Sequence, residues 1–242
     1  LILTTTELVL KAAEYLGVIA VMMLIGLSPR LRMRRTVAFK YPMREGVMAL
    51  ALFALVLLVA FIVFIQFFTP IKPDQLLYQR LIVAVIALIP FVGSLIIRGQ
   101  PLRSIGWTRE NQDAAFRIGL CLAFLTVFIG GKIFTIINGL TAQQWISLPV
   151  WLGIAMAEET IFRGYIQPRL GSWLGLNWGW AISSVLYGLW QLPHLLADPT
   201  TLVIRLGLAI VQGVFLGWIM RRSGHVAAPA LYRALSEWVS ML

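Results

Sequence analysis

Two adjacent glutamates followed by an arginine, Glu158-Glu159-x-x-x-Arg163, stand inside an otherwise apolar stretch, AMAEETIFRGYIQPRL. Ionisable groups in such a stretch are costly and need a partner, a cavity or a proton. The i,i+4 spacing puts Glu159 and Arg163 on one helical face, while Glu158 projects about 100° away. One glutamate can be neutralised by Arg163 while the other serves a separate cavity, and spacing alone does not say which. A carboxylate in that setting suits general acid/base work on a water. Further along, Trp190-Gln191-Leu192-Pro193-His194 supplies a histidine within or at the end of an apolar helix. Pro193 interrupts the helical ladder and is expected to kink it toward a cavity. Arg233 and Glu237, four apart in the last apolar run, can pair with one another or complete a polar cluster around Glu158 and His194. A buried arginine needs anionic company, and few acids lie outside those glutamates. His225, after Arg221-Arg222, reads as an interfacial loop residue.

The elements that must hold these groups are hydrophobic helices. Of the 242 residues, 60% are hydrophobic and only 12% charged, about half the charged share of a soluble domain. Mean hydropathy is +0.86. A membrane-crossing helix needs about 20 mostly apolar residues. Eight such runs are read at about 8–29, 46–69, 79–97, 114–137, 145–168, 175–196, 201–220 and 226–242. They lack barrel-type alternation, and an open sheet edge in hydrocarbon would leave backbone groups unpaired. The expected fold class is therefore all-α: a polytopic membrane protein, one transmembrane helical domain over 1–242. Gly130-Gly131 and Gly171/Gly175 are expected at helix ends or close packings. Trp145, Trp151, Trp173, Trp178 and Trp180 fall near span ends, as an aromatic belt would. Cys121, the single cysteine, excludes an intrachain disulfide and is expected as a buried small side chain. Residues 1–7 lack the basic region of a secretory signal peptide.

The net charge of +10 follows the loops. Arg30, Arg32, Arg34, Arg35, Lys40 and Arg44 crowd the first loop, and Arg98, Arg103 and Arg109 the third, with Arg117 just inside the next span. Arg169 stands in the fifth region, and Arg221 and Arg222 in the seventh. Even loops carry little: Lys72 with Asp74, almost nothing over 138–157, then Asp198. Arg80, Lys132 and Arg205 are read as helix-end residues. The positive-inside rule puts the odd loops in the cytoplasm and, with eight spans, both termini outside. Anionic lipids at the cytoplasmic face are compatible partners of the basic loops; nucleic acid is not an expected partner.

Glu158-Glu159-x-x-x-Arg163, then Trp190-x-x-x-His194, then the stretch around Ala228-Pro229, resembles the CAAX-protease and bacteriocin-processing family of intramembrane proteases (CPBP or Abi). The resemblance covers about residues 145–240, the CPBP/Abi-like core. The family usually has Phe at the position of Trp190, a mild change. It would also show His-x-x-x-Asn or His-x-x-x-Asp in the last helix, where this chain has Arg233-x-x-x-Glu237; His225 lies eight residues too early.

The resemblance implies a hydrolase in which Glu158 is the general base for a water and His194 helps orient it. Glu159 belongs to the same catalytic set. Arg163, Trp190, Arg233 and Glu237 are supporting or structural. Arg233 can donate to a developing oxyanion, or bind Glu158 permanently and remove it from use. The family was long described as metalloproteases, but no HExxH is present and an arginine in the cluster argues against a second cation. No cofactor or metal is expected. Three functions remain open. The first is an intramembrane endopeptidase acting on a membrane peptide or protein. The second is a silent homologue that binds a membrane-protein partner as an assembly subunit. The third is a transporter or proton-coupled carrier, against which the absence of paired repeats counts. The resemblance and compact size point to a bacterial cell (inner) membrane.

Overall fold

The computed structural model describes residues 5–27, 38–67, 73–195 and 201–242. Arg30, Arg32, Arg34, Arg35, Lys72 and Asp198 of the charge pattern lie outside them. Helices account for nearly all of the described chain, and no strand occurs among the described residues. In chain order they are α1 (Thr5–Leu27), α2 (Pro42–Phe67), α3 (Pro73–Ile97), α4 (Gln112–Ile129), the short α5 (Ile133–Ile137), α6 (Ala142–Glu159), α7 (Gln167–Leu174), α8 (Leu176–Leu195), α9 (Leu202–Ser223) and α10 (Ala227–Met241). Among the described residues, four segments are long and apolar enough to cross a membrane: Pro42–Val63, Gln75–Ile97, Gln112–Ile129 and Leu202–Ser223. The helices carrying the polar residues of interest, α6, α8 and α10, are not among them: α10 has only 15 residues, α6 carries two glutamates and two glutamines, and α8 mixes its apolar residues with Asn177, Gln191 and His194.

Two expected runs change shape. The run at 114–137 breaks at Gly130-Gly131, where Gly131 takes φ +65°, a left-handed conformation favoured by glycine. Thus α4 ends and α5 begins anew. The run at 145–168 does not stop there: α6 passes through a π-helical stretch, Thr160–Ile166, directly into α7. Gly175, at φ +94°, then turns the chain into α8. The run expected at 175–196 keeps its bounds: α8 continues as helix through Pro193 to Leu195.

The π stretch has identifiable supports. Gly164 lies so close to the short helical turn Leu102–Ile105 that a Cβ there would run into the Ile105 carbonyl oxygen. Thr160 Oγ1 donates back to the Met156 carbonyl at 2.7 Å and accepts from Trp107 Nε1 at 3.2 Å. Ser183 of α8 donates to the Phe162 carbonyl at 3.0 Å. Single π turns inside α-helices recur at functional sites, where they re-aim side chains.

The core runs along one face of each helix. Val18, Phe53, Phe91, Leu122, Phe162, Tyr187 and Leu216 belong to one buried cluster; Trp151, Ile154, Ala234 and Trp238 belong to a second. α4 buries Ala115, Ile118, Leu122 and Thr126, and so turns Cys121 outward. Contrary to expectation, Cys121 is exposed. Trp145 and Trp178 are exposed as belt residues would be, whereas Trp151 is buried.

One arginine counted as a loop charge is interior. Arg169 is fully buried and donates to Glu45 Oε2 from Nε at 3.1 Å and to Gln100 Oε1 at 2.6 Å. Its guanidinium also lies over the Tyr165 ring. Arg98 pairs with the same Glu45. This cluster joins α2, the end of α3 and α7. His225 is likewise buried rather than interfacial. Its Nδ1 accepts from the Ala227 amide at 3.0 Å, and its ring meets Trp107 edge-on, so it caps the start of α10.

Candidate active site

α6 delivers Glu158 and Glu159 to the interior, 1% and 0% exposed. α10 faces them with Arg233, also buried. Arg233 Nη2 lies 2.5 Å from Glu158 Oε2, and its Nη1 donates to Glu159 Oε1 at 3.3 Å. One guanidinium therefore bridges both carboxylates, the planar fork geometry to which arginine is suited. Arg163, one turn beyond Glu159, places Nε 3.2 Å from Glu159 Oε2 as an ion pair. It donates from Nη2 to the Gly213 carbonyl of α9 at 3.0 Å and lies over the Tyr187 ring. The i,i+4 expectation for Glu159 and Arg163 holds, and Glu158 points elsewhere.

Arg233 does not pair with Glu237 on its own helix. Glu237 instead accepts from Gln212 Nε2 at 3.1 Å, and Gln212 Oε1 accepts from the Tyr187 hydroxyl at 3.1 Å. Trp190 is buried, its ring 6.4 Å from that of Phe162. His194, in the last turn of α8, is half buried and lies within electrostatic range of Glu158 and Arg80.

Two residues unassigned from sequence complete the arrangement. Gln191 Nε2 donates to Glu158 Oε2 at 3.5 Å, while its Oε1 accepts from Arg80 Nη2 at 2.8 Å. The amide orientation follows from its neighbours: a guanidinium only donates and a carboxylate only accepts. Arg80 belongs to α3 and rests over the Trp151 ring of α6 at 5.2 Å. Its charge acts on both Glu158 and Glu237. Glu158, Glu159 and Glu237 are thus balanced by Arg163, Arg233 and Arg80. Reading Arg80 as a helix-end residue left that cluster one positive charge short. The missed signal was an arginine about a turn and a half inside an apolar run, where its cost demands a reason.

Arg80 and Gln191 also line a cavity of about 620 Å³. Glu14, Gln212, Ser236 and Glu237 contribute to its wall. Glu14 is held by its own neighbours: Ser236, Tyr232 and Thr126 donate to Oε1 at 2.6, 2.9 and 3.3 Å, and Lys11 pairs with Oε2 at 3.0 Å. Glu158 lies behind Gln191, outside the cavity wall.

Among the described residues no three His, Cys, Asp or Glu side chains group as a metal-ligand set. The space between the two α6 carboxylates is taken by the Arg233 guanidinium, so these residues as arranged do not fit a metal ion.

Apolar helices long enough to cross a bilayer, packed around buried paired carboxylates, fit an integral membrane protein. Residues 140–239 match the family model described as "Type II CAAX prenyl endopeptidase Rce1-like", consistent with the CPBP family. The match spans α6 to α10 and contains both glutamates, His194 and Arg233, and it supports a CAAX-type intramembrane protease kind of function. No curated protein and no solved structure matches the chain.

Proposed function

We propose that the chain is an intramembrane endopeptidase that cleaves a membrane-associated peptide or protein, with Glu158 as the general base. The observation that carries this reading is the buried Glu158, in contact with one hydrogen-bond donor from α10 and one from α8. In the reaction, a water gives a proton to Glu158 as its oxygen attacks the peptide carbonyl. The C–N bond breaks as the tetrahedral intermediate collapses, and the proton passes to the leaving amine. His194 orients the water. Arg233 leaves Glu158 and donates to the oxyanion, which is the larger electrostatic contribution in acyl transfer. Glu159 stays with Arg163 and keeps that arginine in place.

The membrane arrangement belonging to this reading has eight spans, the basic loops in the cytoplasm beside anionic lipids, and both termini extracytoplasmic, in a bacterial plasma membrane. The run of apolar segments and the distribution of arginines support it.

A second reading has its own observation. Arg233 already occupies Glu158, and the third family motif is replaced by Arg233 and Glu237. A chain held in that state binds a membrane-protein partner without cleaving it. Glu158→Gln separates the two. Purified protein in liposomes is offered a farnesylated CAAX peptide and unmodified transmembrane peptides, and products are read by mass spectrometry. Cleavage that disappears with Glu158→Gln, in a variant that stays folded, supports the endopeptidase. Cleavage that survives removes Glu158 as the base, and no cleavage by the unaltered chain favours the binding subunit.

A further inference from the structure

The helix ends assign the large cavity to one side of the bundle. Its lining takes Lys11 near the start of α1, Arg80 near the start of α3, Gly130 just after α4, Leu195 at the end of α8, Arg205 near the start of α9 and Ser240 near the end of α10. All of these lie at one end of their helices. The opposite end carries Arg98 after α3, Arg109 before α4, and Arg221 and Arg222 at the close of α9. The cavity and the arginine-rich loops thus lie at opposite ends.

Between this cavity and Glu158 stands a thin partition. Gln191 lines the cavity and also donates to Glu158, and at 3.5 Å that bond is at the long limit. Arg80 holds the other end of the amide at 2.8 Å. The Gln191 amide is thus the side chain that stands between the cavity and the carboxylate. The cavity wall is mixed: Leu208 and Ala209 beside Gln212 and Glu237.

We propose that polar access to Glu158 runs through this cavity from the extracytoplasmic side, with Arg80 and Gln191 as its gate. The substrate is then a peptide whose scissile bond is presented in the extracytoplasmic half of the membrane, and not a protein tail presented from the cytoplasm. The proposal rests on Glu158 being the base and on the cytoplasmic placement of the arginine-rich loops.

Its test does not depend on cleavage. Leu208→Cys and, separately, the milder Ala209→Cys are made in a Cys121→Ser chain. Each is treated with a charged, membrane-impermeant thiosulfonate in right-side-out and in inside-out membrane vesicles. Phe124→Cys, on the exposed face of α4, reports background reaction from lipid. The expected result is labelling at 208 and 209 at least tenfold faster in right-side-out vesicles, well above that at 124. Faster labelling in inside-out vesicles overturns the proposal. So does equal failure from both sides when the detergent-unfolded protein labels fully. Where cleavage is measurable, a bulky thiosulfonate at 209 should lower it at least tenfold, and undiminished cleavage overturns the proposal. A chain that cleaves nothing but labels from the extracytoplasmic side leaves the route standing and removes the endopeptidase reading.

Discussion

Arg233 on α10 and Glu158 on α6 meet at 2.5 Å, each 1% exposed. Seventy-five positions apart in sequence, they form the closest contact in the polar cluster. The consequence for catalysis is direct, because a base that accepts from a guanidinium must release it before accepting from water. Replacing the pair Arg233→His with Glu237→Asn restores the family-type residues in the last helix. With Arg233 as the oxyanion donor, cleavage in liposomes is expected to fall, and a tenfold rise over the unaltered chain would instead show that Arg233 only blocks Glu158. A lower rate means that Arg233 is needed for turnover.

Arg233→Met tests the same contact for stability. It leaves Glu158 and half of Glu159 without their cation in a dry interior. Breaking one side of a buried ion pair costs about 3–5 kcal/mol. Thermal unfolding in detergent should show a large loss. Adding Glu158→Gln to Arg233→Met should recover much of it, whereas no recovery refutes a charge-pair origin.

Arg80 supplies the third positive charge opposite Glu158, Glu159 and Glu237, so Arg80→Met should also destabilise the bundle. The compensating change is Glu237→Gln, which removes one negative charge and keeps the hydrogen-bond partner of Gln212. Unfolding temperatures of the two single variants and the double variant form a cycle. A coupling near zero would separate Arg80 from the cluster.

Gly164 has no room for a methyl group, since the Ile105 carbonyl and Val226 stand against its Cα. Gly164→Ala should cost about 1–3 kcal/mol, as overpacking does, and disturb the π turn that follows the glutamates. A drop in both folded yield and Glu158-dependent cleavage is expected, and a neutral result would contradict the contact.

Glu45 accepts from Arg98, Arg169 and Gln100 at the arginine-rich end of the bundle. Glu45→Gln leaves Arg169 buried without a counter-charge. The unfolding temperature should fall clearly, with cleavage by the surviving folded fraction unchanged. A loss of turnover in stable protein would tie this cluster to the site.

The class of protein was legible in the chain because burial in lipid demands long apolar runs, and length and composition are local properties. So was the Glu159–Arg163 pair, since a helix places i and i+4 on one face whatever surrounds it. Breaks were harder to place. Gly131 ended a run as glycine can, but the π stretch after Glu159 depends on the Ile105 carbonyl, on Trp107 and on Ser183, all distant in sequence. The roles of Arg80, Gln191 and Arg169 were hidden for the same reason. Each lies near the end of a helix, where a charge or amide ordinarily meets water or headgroups, and only the neighbouring helices turn that position into an interior. The sequence contains the acids and bases of the cluster, but their pairing is a tertiary outcome. Arg233 had two acceptable partners, Glu237 on its own helix and the glutamates of α6. Packing α10 against α6 brought the α6 carboxylates to its guanidinium, while Gln212 of α9 took Glu237.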